Sequence, residues 1–144
     1  MADGRIVVGV DGSEPSLKAL KWAAAQAALT GDSLQAVISW DYPGVWATVV
    51  PGVSLQFDPE KVARQILDTA LDAILTPEEA AAVTRTIVGD NAAQALVDAA
   101  RGASLLVVGD RGYSGFKAAV LGSVSSHVTH HAPCPVVVVR DEAS

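Results

Sequence analysis

Cysteine is nearly absent from this sequence. Cys134 stands alone among 144 residues, and the aromatics amount to three Trp, two Tyr and two Phe. One thiol forms no disulfide within its own chain, so the fold must rest on its core, and a reducing, cytoplasmic setting is the expectation. Charge is also sparse, at 18%, and the balance is acidic, with a formal net charge of -6. Broad attraction to nucleic acid or to an anionic membrane surface is therefore not expected. A small anion held locally by backbone amides remains compatible with that charge. No apolar run approaches the roughly 20 residues of a spanning helix. The first apolar stretch, stopped by Asp11, is too short for a secretory signal, and no export signal is expected. Gly-x4-Gly-Lys-Ser/Thr, Gly-x-Gly-x2-Gly and Gly-x-Ser-x-Gly are all missing. Their absence argues against a P-loop NTPase, a dinucleotide oxidoreductase and an α/β-hydrolase.

What is present is a half-hydrophobic composition. A chain of this length buries roughly two-thirds of its unfolded surface, enough for one domain, expected over residues 1–144. Ile6-Val7-Val8-Gly9-Val10 reads as a strand buried on both faces. Ser13 offers an N-cap with Pro15 in the first turn, Leu17, Leu20, Ala24 and Ala28 share a helical face, and Gly31 ends that helix. A strand is expected over Leu34 to Trp40, followed by a long Pro- and Gly-bearing connection from Asp41 to Phe57. Asp58-Pro59 opens a helix with Val62, Ile66, Ala70 and Ile74 inward, and Thr76-Pro77 breaks it. Val83 to Val88 alternates as an edge strand does, and a helix is expected from about Asn91 to Arg101. Leu105 to Gly109, Ser123 to His131 and Val136 to Val139 supply a strand, a helix and a last strand. The order βαβαβαβαβ predicts an α/β fold: an open parallel five-stranded sheet of order 3-2-1-4-5 with helices on both faces, Rossmann-like.

Open sheets of this kind bind ligands beyond the carboxyl ends of the strands, where the winding reverses. In the order 3-2-1-4-5 the loops after strands one and four meet there. The first is Gly9-Val10-Asp11-Gly12-Ser13; the second is Gly109-Asp110-Arg111-Gly112-Tyr113-Ser114-Gly115. The second leads to Gly122-Ser123 at the start of the last helix, whose unpaired amides suit phosphate oxygens. Ser123 adds a hydroxyl donor, and Arg111 or Lys117 brings positive charge. Glycines at these spacings also serve in ordinary turns, and Asp11 with Ser13 also suits a simple helix cap.

The spacing Gly109-x2-Gly112-x9-Gly122-Ser123 is followed by Val124-Ser125-Ser126-His127-Val128 and by His130-His131-Ala132-Pro133-Cys134-Pro135-Val136-Val137-Val138-Val139-Arg140. With the opening Val7 to Ser13 and the turn Val88-Gly89-Asp90-Asn91-Ala92, this pattern strongly resembles the universal stress protein family along essentially the whole chain. The glycine-serine spacing is the one associated with that family's ATP-binding branch. The resemblance implies ATP as ligand, with Mg2+ as an optional companion. Asp11 would meet the adenosine end, with Gly9 giving close access. The Trp40 backbone would contact adenine. Gly109 and Gly112 would line the triphosphate, in a loop that runs through Arg111 and Gly115, and Gly122, Ser123, Val124 and Ser125 would present amides and hydroxyls to it. Two positions depart from the usual pattern: Asp110 puts a carboxylate where a small hydroxyl residue is common, and Trp40 replaces a small aliphatic side chain.

The implied function is that of a nucleotide-dependent regulator or sensor in stress response. No general base for phosphoryl transfer is evident, so hydrolysis is expected to be slow at most. The alternatives are a stress or interaction module that binds no nucleotide, and an enzyme acting on adenylated substrates. The all-apolar last strand would lie on an edge, which predicts a homodimer formed through it. His127 and His131 have metal-binding spacing but share a face with Val124 and Val128, and packing against the sheet is the expected reading. Cys134 reads as a buried, inert thiol.

Overall fold

The computed structural model describes residues 3–40, 58–89, 91–111 and 123–140. Five strands, β1 (Arg5–Gly9), β2 (Ser33–Ser39), β3 (Thr84–Val88), β4 (Leu105–Gly109) and β5 (Val136–Val139), form one sheet of order β3-β2-β1-β4-β5. Every pairing is parallel. The winding reverses between β1 and β4, where Val8 stands opposite Val107.

The helices are α1 (Glu14–Thr30), α2 (Pro59–Ile74), α3 (Pro77–Ala82), α4 (Ala92–Ala99) and α5 (Ser123–His131). Their starts follow the sequence chemistry closely. Ser13 and Asp58 cap α1 and α2 with Pro in the first turn, and Asn91 Oδ1 accepts the Gln94 N–H at 3.2 Å at the head of α4. The α1 helix stops at Gly31, whose N–H donates to the Ala27 carbonyl at 2.9 Å. Thr76-Pro77 ends α2 as expected but also begins α3, an element absent from the sequence expectation. Thr76 Oγ1 accepts the Glu79 N–H at 3.2 Å while Glu79 Oε1 accepts the Thr76 N–H at 2.9 Å. That reciprocal cap holds a helix of six residues, too short for periodicity to signal.

Alternation along the strands divides the core. Ile6, Val8, Val10, Ala36, Ile38 and Val107 face α1 and α2, while Val7, Val37, Leu106 and Val108 face α4 and α5. The buried stripes of two helices are rotated from the expected ones. On α1, Ser16, Ala19, Leu20, Ala23 and Ala27 are buried, and Ala28 is exposed. On α2 the stripe is Ala63, Leu67, Ala70 and Leu71, with Val62, Ile66 and Ile74 on its flank. Several apolar registers are open to helices this rich in alanine and leucine, so periodicity alone leaves the inward face offset by about one residue.

No helix among the described residues is long and apolar enough to cross a membrane.

Candidate functional site

The backbone ladder continues one residue beyond several strands at their carboxyl ends. Val10 N–H donates to the Val37 carbonyl at 2.9 Å, Trp40 N–H to Val88 at 2.9 Å, and Asp110 N–H to Val139 at 3.0 Å. Residues just past β1 and β4 are thereby held by the sheet. The chain then turns at Gly12, whose φ of 83° is a left-handed conformation that side-chain-bearing residues rarely adopt. This turn folds Asp11 back onto the head of α1.

Asp11 is 5% exposed, a carboxylate almost wholly withdrawn from water. Its Oδ1 accepts the Ser13 N–H at 2.8 Å and also the Ser13 hydroxyl. The Asp11 N–H donates to Ser16 Oγ at 3.3 Å, and that hydroxyl donates to the Ser13 carbonyl at 2.9 Å. The helix start thus surrounds the buried charge with donors that replace lost water. Ser16 is a member of this network that sequence reasoning missed; its signal was the Ser-x-x-Ser spacing at the helix start.

The end of β4 packs against the same turn of α1. A Cβ placed on Gly109 would lie 2.7 Å from both the carbonyl carbon and the carbonyl oxygen of Pro15, so only glycine permits this approach. From the other side the Ser125 hydroxyl donates to the Gly109 carbonyl. Ser125 is 4% exposed, Val124 is partly buried among the residues under α4 and α5, and Ser123 is exposed at the first position of α5. Arg111 Nε stands 3.9 Å from Asp110 Oδ1, a cation set beside the carboxylate that departs from the usual pattern.

The structure therefore brings Asp11, Gly109 and Ser125 to the junction of β1, β4, α1 and α5, with Arg111 following β4. Gly9 lies one strand end away, and its open side faces the Leu96 side chain: an added Cβ would meet Cδ1 at 3.0 Å. Trp40 is turned toward the end of β3, with its indole seated on Gly89. Gly112, Gly115 and Gly122 lie outside the described residues, as does Lys117.

The histidines correct an expectation. The buried residues of α5 are Ser125 and Val128, with partly buried Ala132 packing just beyond the helix, and His127 and His131 are exposed. Cys134 is partly buried, and burial pushes its thiol up, with Arg5 acting in the opposite sense. That direction agrees with an inert thiol.

Comparison with known proteins gives this geometry its relatives. A universal stress protein of Mycobacterium tuberculosis is 37% identical over 146 residues, covering 96% of this chain and 48% of its own length. The chain thus spans about half the length of the curated relatives it matches. Among solved structures, a universal stress protein in complex with cAMP is 28% identical with a TM-score of 0.62, covering 94% of each chain. The universal stress protein from Archaeoglobus fulgidus in complex with dAMP is 26% identical with a TM-score of 0.67, covering 96% of this chain and 99% of its own. The profile of the Universal stress protein family matches residues 4–140, and the chain belongs to that family.

Proposed function

We propose that this chain binds ATP at the carboxyl ends of β1 and β4 and acts as a nucleotide-dependent regulator or sensor in stress response. The observation that carries this reading is the convergence of buried Asp11, close-packed Gly109 and Ser125 on one junction at the reversal of the sheet. Relatives solved with cAMP and dAMP support an adenine nucleotide as the ligand class. The resemblance of the spacing from Gly109 to Gly122-Ser123 to that of the family's ATP-binding branch supports the triphosphate. In this reading Asp11 meets the adenosine end, and the amides that open α5 meet the phosphates, where the helix dipole favours negative charge.

Asp110 bears on the triphosphate. Its charge would repel phosphate oxygens, but Arg111 stands at 3.9 Å to offset it. A carboxylate is also a hard oxygen ligand, so Asp110 suits a Mg2+ ion accompanying ATP. The described residues around the junction offer no evident general base, and the proposed role is binding with slow hydrolysis at most. The proposed assembly is a homodimer through β5, since Val136–Val139 is an apolar edge only partly buried within one chain. Light scattering at micromolar concentration is expected to give the mass of a dimer.

Equilibrium dialysis against ATP, ADP, AMP and cAMP tests the ligand. ATP is expected to bind the wild-type chain, and replacing Gly122 or Ser123 with a bulky residue is expected to abolish binding while circular dichroism stays unchanged. Undiminished affinity in those variants rejects the site. Failure of every nucleotide to bind the wild type favours the interaction module instead.

A further inference from the structure

We propose that His127 and His131 form a bidentate site for a borderline-soft divalent cation such as Zn2+ on α5. The inference is independent of the nucleotide reading, because it uses two exposed rings and none of Asp11, Gly109 or Ser125. Both rings are exposed, one helical turn apart, with centroids 4.4 Å apart and planes inclined by 35°. Neither ring has a hydrogen-bond partner among the described residues. The neighbouring His130 differs: its Nδ1 lies 2.7 Å from the Ser126 carbonyl. The His127 and His131 nitrogens are thus open to a ligand, and the rings can turn without disturbing the core.

Imidazole nitrogens bind Zn2+ at roughly 2.0–2.1 Å, so two rings this close reach one ion with small rotations. The pair sits in the last turns of α5, where unpaired carbonyls favour a cation. The chain's net charge of -6 adds a long-range attraction of the same sign. No group of three or more His, Cys, Asp or Glu suited to a metal occurs among the described residues. Two protein nitrogens with water completing the shell therefore describe the site. Such an open site is weak and exchangeable, and it selects nitrogen-preferring ions over the oxygen-preferring Mg2+.

The test titrates this chain, metal-free and nucleotide-free, with Zn2+ in a calorimeter at neutral pH, and with Mg2+ as the contrasting ion. One saturable Zn2+ site at micromolar concentration is expected, weakened about tenfold or more in His127→Ala and in His131→Ala. His130→Ala is expected to bind as the wild type does. The replaced rings are exposed, so thermal melts without metal are expected to coincide for all variants. Undiminished Zn2+ affinity in the double variant overturns the proposal. So do equal losses in His130→Ala, absence of saturable Zn2+ binding in the wild type, and Mg2+ bound as tightly as Zn2+.

Discussion

At the carboxyl ends of the strands and the helix starts above them lie the buried polar residues Asp11, Ser13, Ser16, Ser39 and Ser125, four short hydroxyls and one carboxylate. At the amino ends the polar chemistry is long-armed and open to water. Arg5 reaches from the first position of β1 to Gln35 Oε1 at 2.7 Å, the Ala99 carbonyl at 2.6 Å, the Arg101 carbonyl at 2.8 Å and Asp3 at 2.9 Å. A guanidinium over the end of α4 answers the helix dipole and the last carbonyls, a stabilising role. Short hydroxyls withdrawn from water instead fix the turns from which a ligand site is built. One end of the sheet is tied down, and the other is shaped.

The largest effect should come from the shaped end. Gly109→Ala drives a methyl group to 2.7 Å from the Pro15 backbone, where no flexible side chain can yield. A loss of about 3 kcal/mol is expected, the upper part of the usual range for overpacking. Urea unfolding with an unchanged m-value measures it. A loss below about 0.5 kcal/mol would show that β4 and α1 separate easily and that the junction is not rigid.

Next comes Asp11→Ala, which removes the acceptor for the Ser13 N–H and hydroxyl in a buried setting. About 1–3 kcal/mol is expected to be lost, and Asp11→Asn, which keeps an oxygen acceptor, should recover most of it. An Asn variant as unstable as the Ala variant would mean that charge, and not hydrogen bonding, holds the turn. Both outcomes are read from the same denaturation curves.

Much of this was legible before the structure. Continuous apolar runs marked β1, β4 and β5, while Ser13, Asp58, Asn91 and Gly31 marked helix ends, because caps and buried strands are written in local chemistry. The strand order followed from the alternation of elements. Asp11 and Gly109 were legible as residues at strand ends. Their mode of contact was not, because Pro15 against Gly109 and Leu96 against Gly9 join segments distant in sequence. The inward stripes of α1 and α2 were offset by about one residue because apolar residues on both sides of each stripe leave the register to tertiary packing. The exposure of His127 and His131 was missed for a related reason: Ser125, a hydroxyl residue, is on the inward face because its donor has a partner in the Gly109 carbonyl.

The smallest effect belongs to the tied-down end, where Arg5 and Cys134 sharpen the contrast. Burial raises the Cys134 thiol above its ordinary range, and the Arg5 guanidinium partly offsets this by favouring the thiolate. The thiolate is the reactive form, so folded protein is expected to react with iodoacetamide at mildly alkaline pH more slowly than the unfolded chain. Arg5→Ala removes the offsetting charge, so the folded thiol should react more slowly still, although the variant loses about 1–2 kcal/mol of stability with its hydrogen bonds. The sign for stability follows from the same shift. As pH rises through the ordinary thiol range the unfolded chain ionises first, so this group's contribution to folding declines toward alkaline pH and is intact below it. Faster alkylation in Arg5→Ala than in the wild type, with both fully folded, would mean that Arg5 shields Cys134 sterically and that its charge does not govern the thiol. Nucleotide affinity in Arg5→Ala is expected to match the wild type, because Arg5 acts at the opposite end of the sheet from Asp11.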